Sequence, residues 1–229
     1  MKFVLIFIAL VFSGQAWAGE STCFGTTSNG SLKDGVALPY QGENFVSYSY
    51  IASKIGRTYV HSTVKTIVLD AYQILNQDMP DRKFKYAETG FKEGGEFKPH
   101  KTHRNGLSID FMVPVVNESG QSDYFSTHAL NKFGYSVEFD QQGRYDEYRI
   151  DYEAMAAHIV ALRKAAIKQG VGLWRVIFAP ELQRYLFKTQ YGDYLKKYIA
   201  FSKRRSWVRH DEHYHVDFEV PCEALGSDN

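Results

Sequence analysis

The sequence predicts a single α+β domain: a central, mainly antiparallel sheet flanked by helices and long loops. Two segments carry apolar residues at helical spacing, Val64, Ile67, Val68, Ala71 and Leu75 in one and Tyr152, Met155, Ile159, Leu162 and Ala166 in the other. Two more alternate with a period of two. Leu107, Ile109, Phe111 and Val113 alternate with Ser108, Asp110 and Met112, which reads as a half-buried strand; Tyr214, Val216, Phe218 and Val220 alternate with His213, His215, Asp217 and Glu219. Helices mixed with separated strands argue for α+β.

The remaining elements follow in chain order. Residues 24–45 are rich in Gly, Ser, Thr and Asn and read as loop. Pro80 bounds the first helix, and Phe84 to Thr89 has the composition of a strand. A Gly/Lys/Glu-rich loop runs to about residue 105, and residues 116–147 are polar and irregular, as expected of a long surface excursion. Gly170 stops the second helix, Leu173 to Phe178 reads as a buried strand, and a helix carrying Leu182, Tyr185 and Leu186 is expected after Pro180.

The chain has 229 residues, with 27 Lys+Arg against 26 Asp+Glu. That balance excludes a polybasic nucleic-acid binder, and the length suits one large domain with a real core. Lys2 followed by the apolar run Phe3–Phe12 and then Ala16-Trp17-Ala18 is the pattern of a secretory signal peptide, residues 1–18, leaving residues 19–229 as the mature domain. The apolar run is too short to span a bilayer, and no later segment approaches that length. No membrane insertion is therefore expected after cleavage. Export, to the periplasm, places the two cysteines in an oxidising compartment, where Cys23 and Cys222 are expected to join the two ends of the domain.

Five of the eight histidines fall into two short clusters, His100-Lys-Thr-His103-Arg-Asn-Gly-Leu-Ser-Ile-Asp110 and His210-Asp-Glu-His213-Tyr-His215. Strand alternation gives them a geometry. Asp110 and His215 lie on the polar sides of two strands, and His103 sits in the loop entering the first. If those strands are neighbours, His103, Asp110 and His215 converge on one face. Two imidazoles and a carboxylate form a catalytic zinc shell with a position left for water. His213, two residues from His215 on the same side, is placed to handle the proton. Glu212 is the alternative base, because Glu212-His-Tyr-His215 also reads as E-x-x-H; strict alternation turns Glu212 away from His215. His100 and His210 are candidates to line the site. His61, His128 and His158 are given no role.

The segments H-x-x-H-R-N-G-L-S-I-D and H-x-x-H-x-H resemble those of the penicillin-insensitive murein endopeptidases, within the wider group of lysostaphin-type and D-Ala-D-Ala metallopeptidases that shares its fold with the hedgehog signalling domain. Thr27-Ser-Asn29-Gly30, Leu38-Pro39, Arg175-Val-Ile-Phe-Ala-Pro180 and the stretch around Trp207 extend the resemblance. It implies one Zn2+ per chain on His103, Asp110 and His215, His213 as base, and His100 and His210 lining the site. It also implies cleavage of the D-alanyl to diaminopimelate cross-link between peptidoglycan stem peptides. Family members commonly carry Gln where this chain has Arg104, and more cysteines than the two here.

The expected function is thus an exported zinc metallo-endopeptidase of peptidoglycan acting through a metal-activated water. One alternative is a zinc D,D-carboxypeptidase removing terminal D-Ala, with Arg104 lining the site to hold the substrate carboxylate; another is a non-catalytic zinc-bearing cell-wall binding domain. Ser62-Thr-Val-Lys65 and Ser227-Asp-Asn229 match fragments of the serine penicillin-binding enzymes, but no K-T-G accompanies them. The basic-aromatic stretch 194–209 reads as a solvated helix face, not a nucleic-acid site. The sequence leaves the oligomeric state open.

Overall fold

The computed structural model describes residues 20–226 apart from Trp207. The leader read at residues 1–18, Trp207 and the Ser227–Asn229 tail lie outside the described residues. In chain order the strands and helices begin with β1 (Thr22–Thr26), β2 (Asn29–Lys33), β3 (Val36–Ala37), β4 (Phe45–Ser47), α1 (Tyr50–Lys54), β5 (Tyr59–Val60) and α2 (Ser62–Asp78). β6 (Phe84–Tyr86), β7 (Ser108–Met112), β8 (Val115–Val116), β9 (Ser122–Asp123), β10 (Arg144–Tyr145) and β11 (Tyr148–Ile150) follow. The chain closes with α3 (Tyr152–Lys168), β12 (Gly172–Ile177), α4 (Gln183–Leu186), α5 (Gly192–Tyr198) and β13 (His213–Glu219).

The central sheet has five strands in the order β12-β13-β7-β6-β4, antiparallel except for the β4–β6 pair. Its two faces differ in chemistry because the strands alternate. Ile109, Phe111, Tyr214, Val216 and Phe218 are buried on one face, with Phe111 and Tyr214 stacked at 5.5 Å. α2 and α3 pack on this side. α2 buries Val64, Ile67, Val68, Ala71, Tyr72 and Leu75, so its stripe is the expected one widened by a tyrosine. The His61 side chain caps it by accepting from the Thr63 amide at 3.1 Å. α3 is capped by Asp151, which accepts from the Ala154 amide at 3.0 Å, and ends before Gly170 at φ +74°.

Four expectations are corrected. The segment read as loop at 24–45 holds the β1–β2 hairpin, whose alternate residues Cys23, Gly30 and Leu32 are buried. β7 is buried along its whole length, not half-buried, because loops cover its polar face. β12 is an edge strand with Trp174 51% exposed, not a buried one. The excursion at 116–147 is not merely surface: it contributes β8, β9 and β10, buries Phe125, Val137 and Phe139, and reaches the polar face of the sheet through Tyr135. The helix expected after Pro180 is present as the short pair α4 and α5, with Leu182, Leu186 and Leu195 buried.

Cys23 and Cys222 are joined in a disulfide across 199 positions of sequence. Beside it, Gly25 donates to the Glu223 carbonyl and Glu223 to the Cys23 carbonyl, both at 2.9 Å, so the C-terminal segment lies against β1. Closing so long a loop restricts the unfolded chain by about 5 kcal/mol in the chain-entropy account. Replacing both cysteines by serine is expected to lower unfolding free energy by about 2–5 kcal/mol, read in urea as a fall in the midpoint with a steeper slope, because the released unfolded chain exposes more surface. An unmoved midpoint would show that the hairpin contacts suffice.

His158 lies on the apolar side. It stacks on Tyr72 at 5.1 Å, meets Phe111 edge-on at 4.7 Å and hydrogen-bonds the Tyr214 hydroxyl. Burial lowers its pKa to about 3. The unfolded chain takes up this proton near pH 6.5 and the folded one does not until far lower, so stability declines as the pH falls through that window. About 2 kcal/mol should disappear between pH 7 and pH 5 through this group. In His158→Gln, denaturation midpoints at the two pH values should converge relative to wild type; an identical pH dependence would assign the acid sensitivity elsewhere.

Candidate metal and catalytic site

The site is the polar face of the sheet. β13 pairs with β7 so that His215 lies opposite Asp110, Asp217 opposite Ser108 and His213 opposite Met112. The expected convergence therefore follows from the register. His103 is delivered by the loop before β7, where it adopts a left-handed backbone with φ +69°. Gly106 then returns the chain to the strand at φ +76°, and a Cβ there would lie 2.7 Å from the His61 amide nitrogen. The loop and excursion close over the sheet around a cavity of about 710 Å3, whose wall includes His100, Asp110, Tyr135, His210, His213 and His215.

Asp110 is the centre of the cluster. Its Oδ1 lies 3.3 Å from His103 Nε2 and 2.9 Å from His215 Nδ1. Its Oδ2 lies 3.7 Å from both His100 Nδ1 and His213 Nε2, and accepts from the Tyr135 hydroxyl at 3.0 Å. The opposite nitrogen of every ring meets an acceptor: His103 Nδ1 the Thr89 carbonyl at 3.0 Å, His215 Nε2 Asp217 at 2.8 Å, His100 Nε2 Glu88 at 2.5 Å, His213 Nδ1 Glu212 at 2.7 Å. In the neutral ring, a proton shared with that outer acceptor leaves the lone pair on the nitrogen facing Asp110, the arrangement that outer partners impose on metal-binding histidines. His103 Nε2 is buried without a hydrogen-bond partner. His100, His103 and Asp110 each offer a ligand atom, all within 4.8 Å of one another, so this cluster could hold a metal ion.

The electrostatics concentrate negative charge beneath the rings. Burial opposes ionisation of Asp110, but His103 and His213 outweigh it and hold the carboxyl well below its usual range. Glu88 is likewise opposed by burial and held down to about 2 by His100 and Arg57. Burial would lower His215, yet Asp217 and Asp110 push it up to about 10: a positive charge is favoured between those carboxylates, whether a proton or a cation supplies it. For His213, burial is outweighed by Glu212 and Asp110, and its pKa is raised. His210 is lowered to about 4 by burial and by the neighbouring His213, whose ring centre is 4.6 Å away.

His100 and His210 both line the cavity, as expected. Glu212 precedes β13, so strand alternation does not govern it; its side chain reaches the cavity wall and bonds His213. Arg104, expected to line the site, is not among the lining residues. The left-handed turn at His103 separates the two side chains, and the Arg104 backbone is tied to Thr27 and Gly95. Tyr135, Glu88, Arg57 and Asp217 were not singled out as site residues. Glu88 accepts from Tyr48 at 2.7 Å and from Arg57, whose guanidinium lies 4.1 Å over Phe97. No local pattern marks Tyr135, because it reaches the site from a polar excursion remote in sequence. Ser62, of the set-aside S-x-x-K, accepts from the Ser21 amide and is not among the residues lining the cavity.

A buried carboxylate ringed by oriented imidazoles, opening on a large cavity, is a cluster that could hold a metal ion. The family model for penicillin-insensitive murein endopeptidases matches residues 23–228, and the chain belongs to that family. Its members are hydrolases of peptidoglycan, consistent with the resemblance at the two histidine motifs. A search of curated proteins found no match.

Proposed function

We propose that the protein is an exported zinc metallo-endopeptidase of the periplasm that hydrolyses D-alanyl to diaminopimelate cross-links between peptidoglycan stem peptides. The observation that carries the reading is the pairing of His103 Nε2 and His215 Nδ1 on one oxygen of Asp110, at 3.3 and 2.9 Å. His100 Nδ1 faces the other oxygen at 3.7 Å. His103, Asp110 and His215 would hold the zinc, since two imidazoles and a carboxylate are a donor set that catalytic zinc takes. His100 would stand beside that set. When bound, zinc supplies Lewis acidity, polarising a carbonyl and acidifying water.

His213 provides the proton transfer. Its Nδ1 bonds Glu212 at 2.7 Å, which orients the ring and favours the imidazolium. Its Nε2, facing Asp110 Oδ2, takes a proton from the attacking water as the new C–O bond forms. The same nitrogen returns that proton to the leaving amine as the C–N bond breaks. Glu212 acts through His213 in this scheme and is not the base itself. His210, kept neutral, and His100 line the path of the peptide.

The test is mass spectrometry of purified cross-linked muropeptide dimers incubated with mature protein, with and without chelator. Monomers are expected without chelator, lost with it, and restored by zinc. Loss of one terminal alanine would mean a carboxypeptidase. Intact dimers beside zinc-loaded protein would overturn hydrolysis in favour of binding.

A further inference from the structure

The polar face of the sheet continues one step beyond the residues that surround Asp110. Two residues along β13 from His215, on the same face, lies Asp217, fully buried at 0% exposure. Across β7 it pairs with Ser108, and across β12 with Arg175, so a row Ser108–Asp217–Arg175 runs parallel to the row Asp110–His215–Ile177. Its Oδ1 receives the Ser108 hydroxyl at 2.6 Å and faces His215 Nε2 at 2.8 Å. Its Oδ2 receives Arg175 Nε at 2.6 Å. The Arg175 guanidinium is itself fixed over the Trp174 ring at 4.3 Å.

We infer that Asp217, clamped by Ser108 and Arg175, is a positioning residue that fixes the ring of His215 so that its Nδ1 lone pair is held toward Asp110 and His103. The inference rests on the zinc site proposed above. A carboxylate anchored at both oxygens is held in one orientation, and the acceptor site left on Oδ1 faces His215 Nε2. Accepting there puts the imidazole proton on Nε2 and reserves Nδ1 for coordination. Without it the neutral ring populates the other tautomer and the other rotamer, and each departure weakens the hold on a metal. Asp217 touches no reacting atom in this scheme. Its effect is carried entirely by His215.

The test is zinc affinity, measured by competition with a chromophoric chelator on the mature protein, for wild type, Asp217→Asn and Ser108→Ala. Circular dichroism establishes that each is folded. Asp217→Asn should bind zinc about 10- to 100-fold more weakly, with a changed visible spectrum when cobalt(II) replaces zinc. Ser108→Ala should weaken binding in the same direction by less. Wild-type affinity and cobalt spectrum in a folded Asp217→Asn would overturn the inference and leave the zinc site standing. If Asp217→Asn does not fold, Ser108→Ala decides, and unchanged affinity there overturns it. Wild-type protein that takes up no zinc would overturn the zinc site and this inference together.

Discussion

His213→Ala is expected to reduce muropeptide cleavage by roughly 100- to 10,000-fold while zinc content stays at the wild-type level. The magnitude is that of a lost general acid–base group. The separation of the two effects follows from geometry. His213 Nε2 is 3.7 Å from Asp110 Oδ2, whereas the proposed zinc donors meet at Oδ1. Removing the ring also exposes Glu212, whose Oε1 loses its partner at 2.7 Å. Turnover preserved in His213→Ala would therefore transfer the base to Glu212, and the matching Glu212→Gln would then be the inactive variant. Under the scheme proposed here Glu212→Gln keeps part of the activity, because His213 is still present and only its orientation and its charge partner are weakened.

Asp110→Ala should lose both zinc and cleavage, the latter to background. No other side chain in the cluster faces four imidazoles: His103 and His215 at one oxygen, His100 and His213 at the other. Without the carboxylate the rings keep their outer partners but lose the anion that draws them to a common centre, and a bound dication would lose its charge compensation. Metal analysis of the purified variant beside the muropeptide assay checks both effects. Because the substitution empties a buried position, chelation of the wild-type protein is the independent arm. It should abolish turnover, with recovery on adding zinc. Full activity after exhaustive chelation would exclude a metal-dependent reaction.

How much of this was legible beforehand differs by level. The helices at 62–78 and 152–168 and the strands around Asp110 and His215 were readable because in each the large apolar residues recur at the period of the element. The β1–β2 hairpin was not, since its polar, glycine-rich residues show no extended apolar alternation and it is further tied to the chain's other end, at Cys222 and Glu223. β7 was read as half-buried because sequence shows which residues alternate, not what covers them.

The candidate site divides in the same way. Sequence alone determined the chemistry: five histidines and an aspartate in two clusters, with Asp110 and His215 on the polar sides of their strands, and two cysteines placed to join the ends. Only the tertiary structure decided which atoms meet. The β7–β13 register set His215 against Asp110; the left-handed turn at His103 brought in its Nε2 and left Arg104 off the cavity wall. The excursion brought Tyr135, and the row beneath brought Asp217 with Ser108 and Arg175. The physical reason is one of range. Periodicity and composition act over a few neighbouring residues, while the meeting of His215 Nδ1 with Asp110 Oδ1 joins groups 105 positions apart in the chain and depends on how their strands pair.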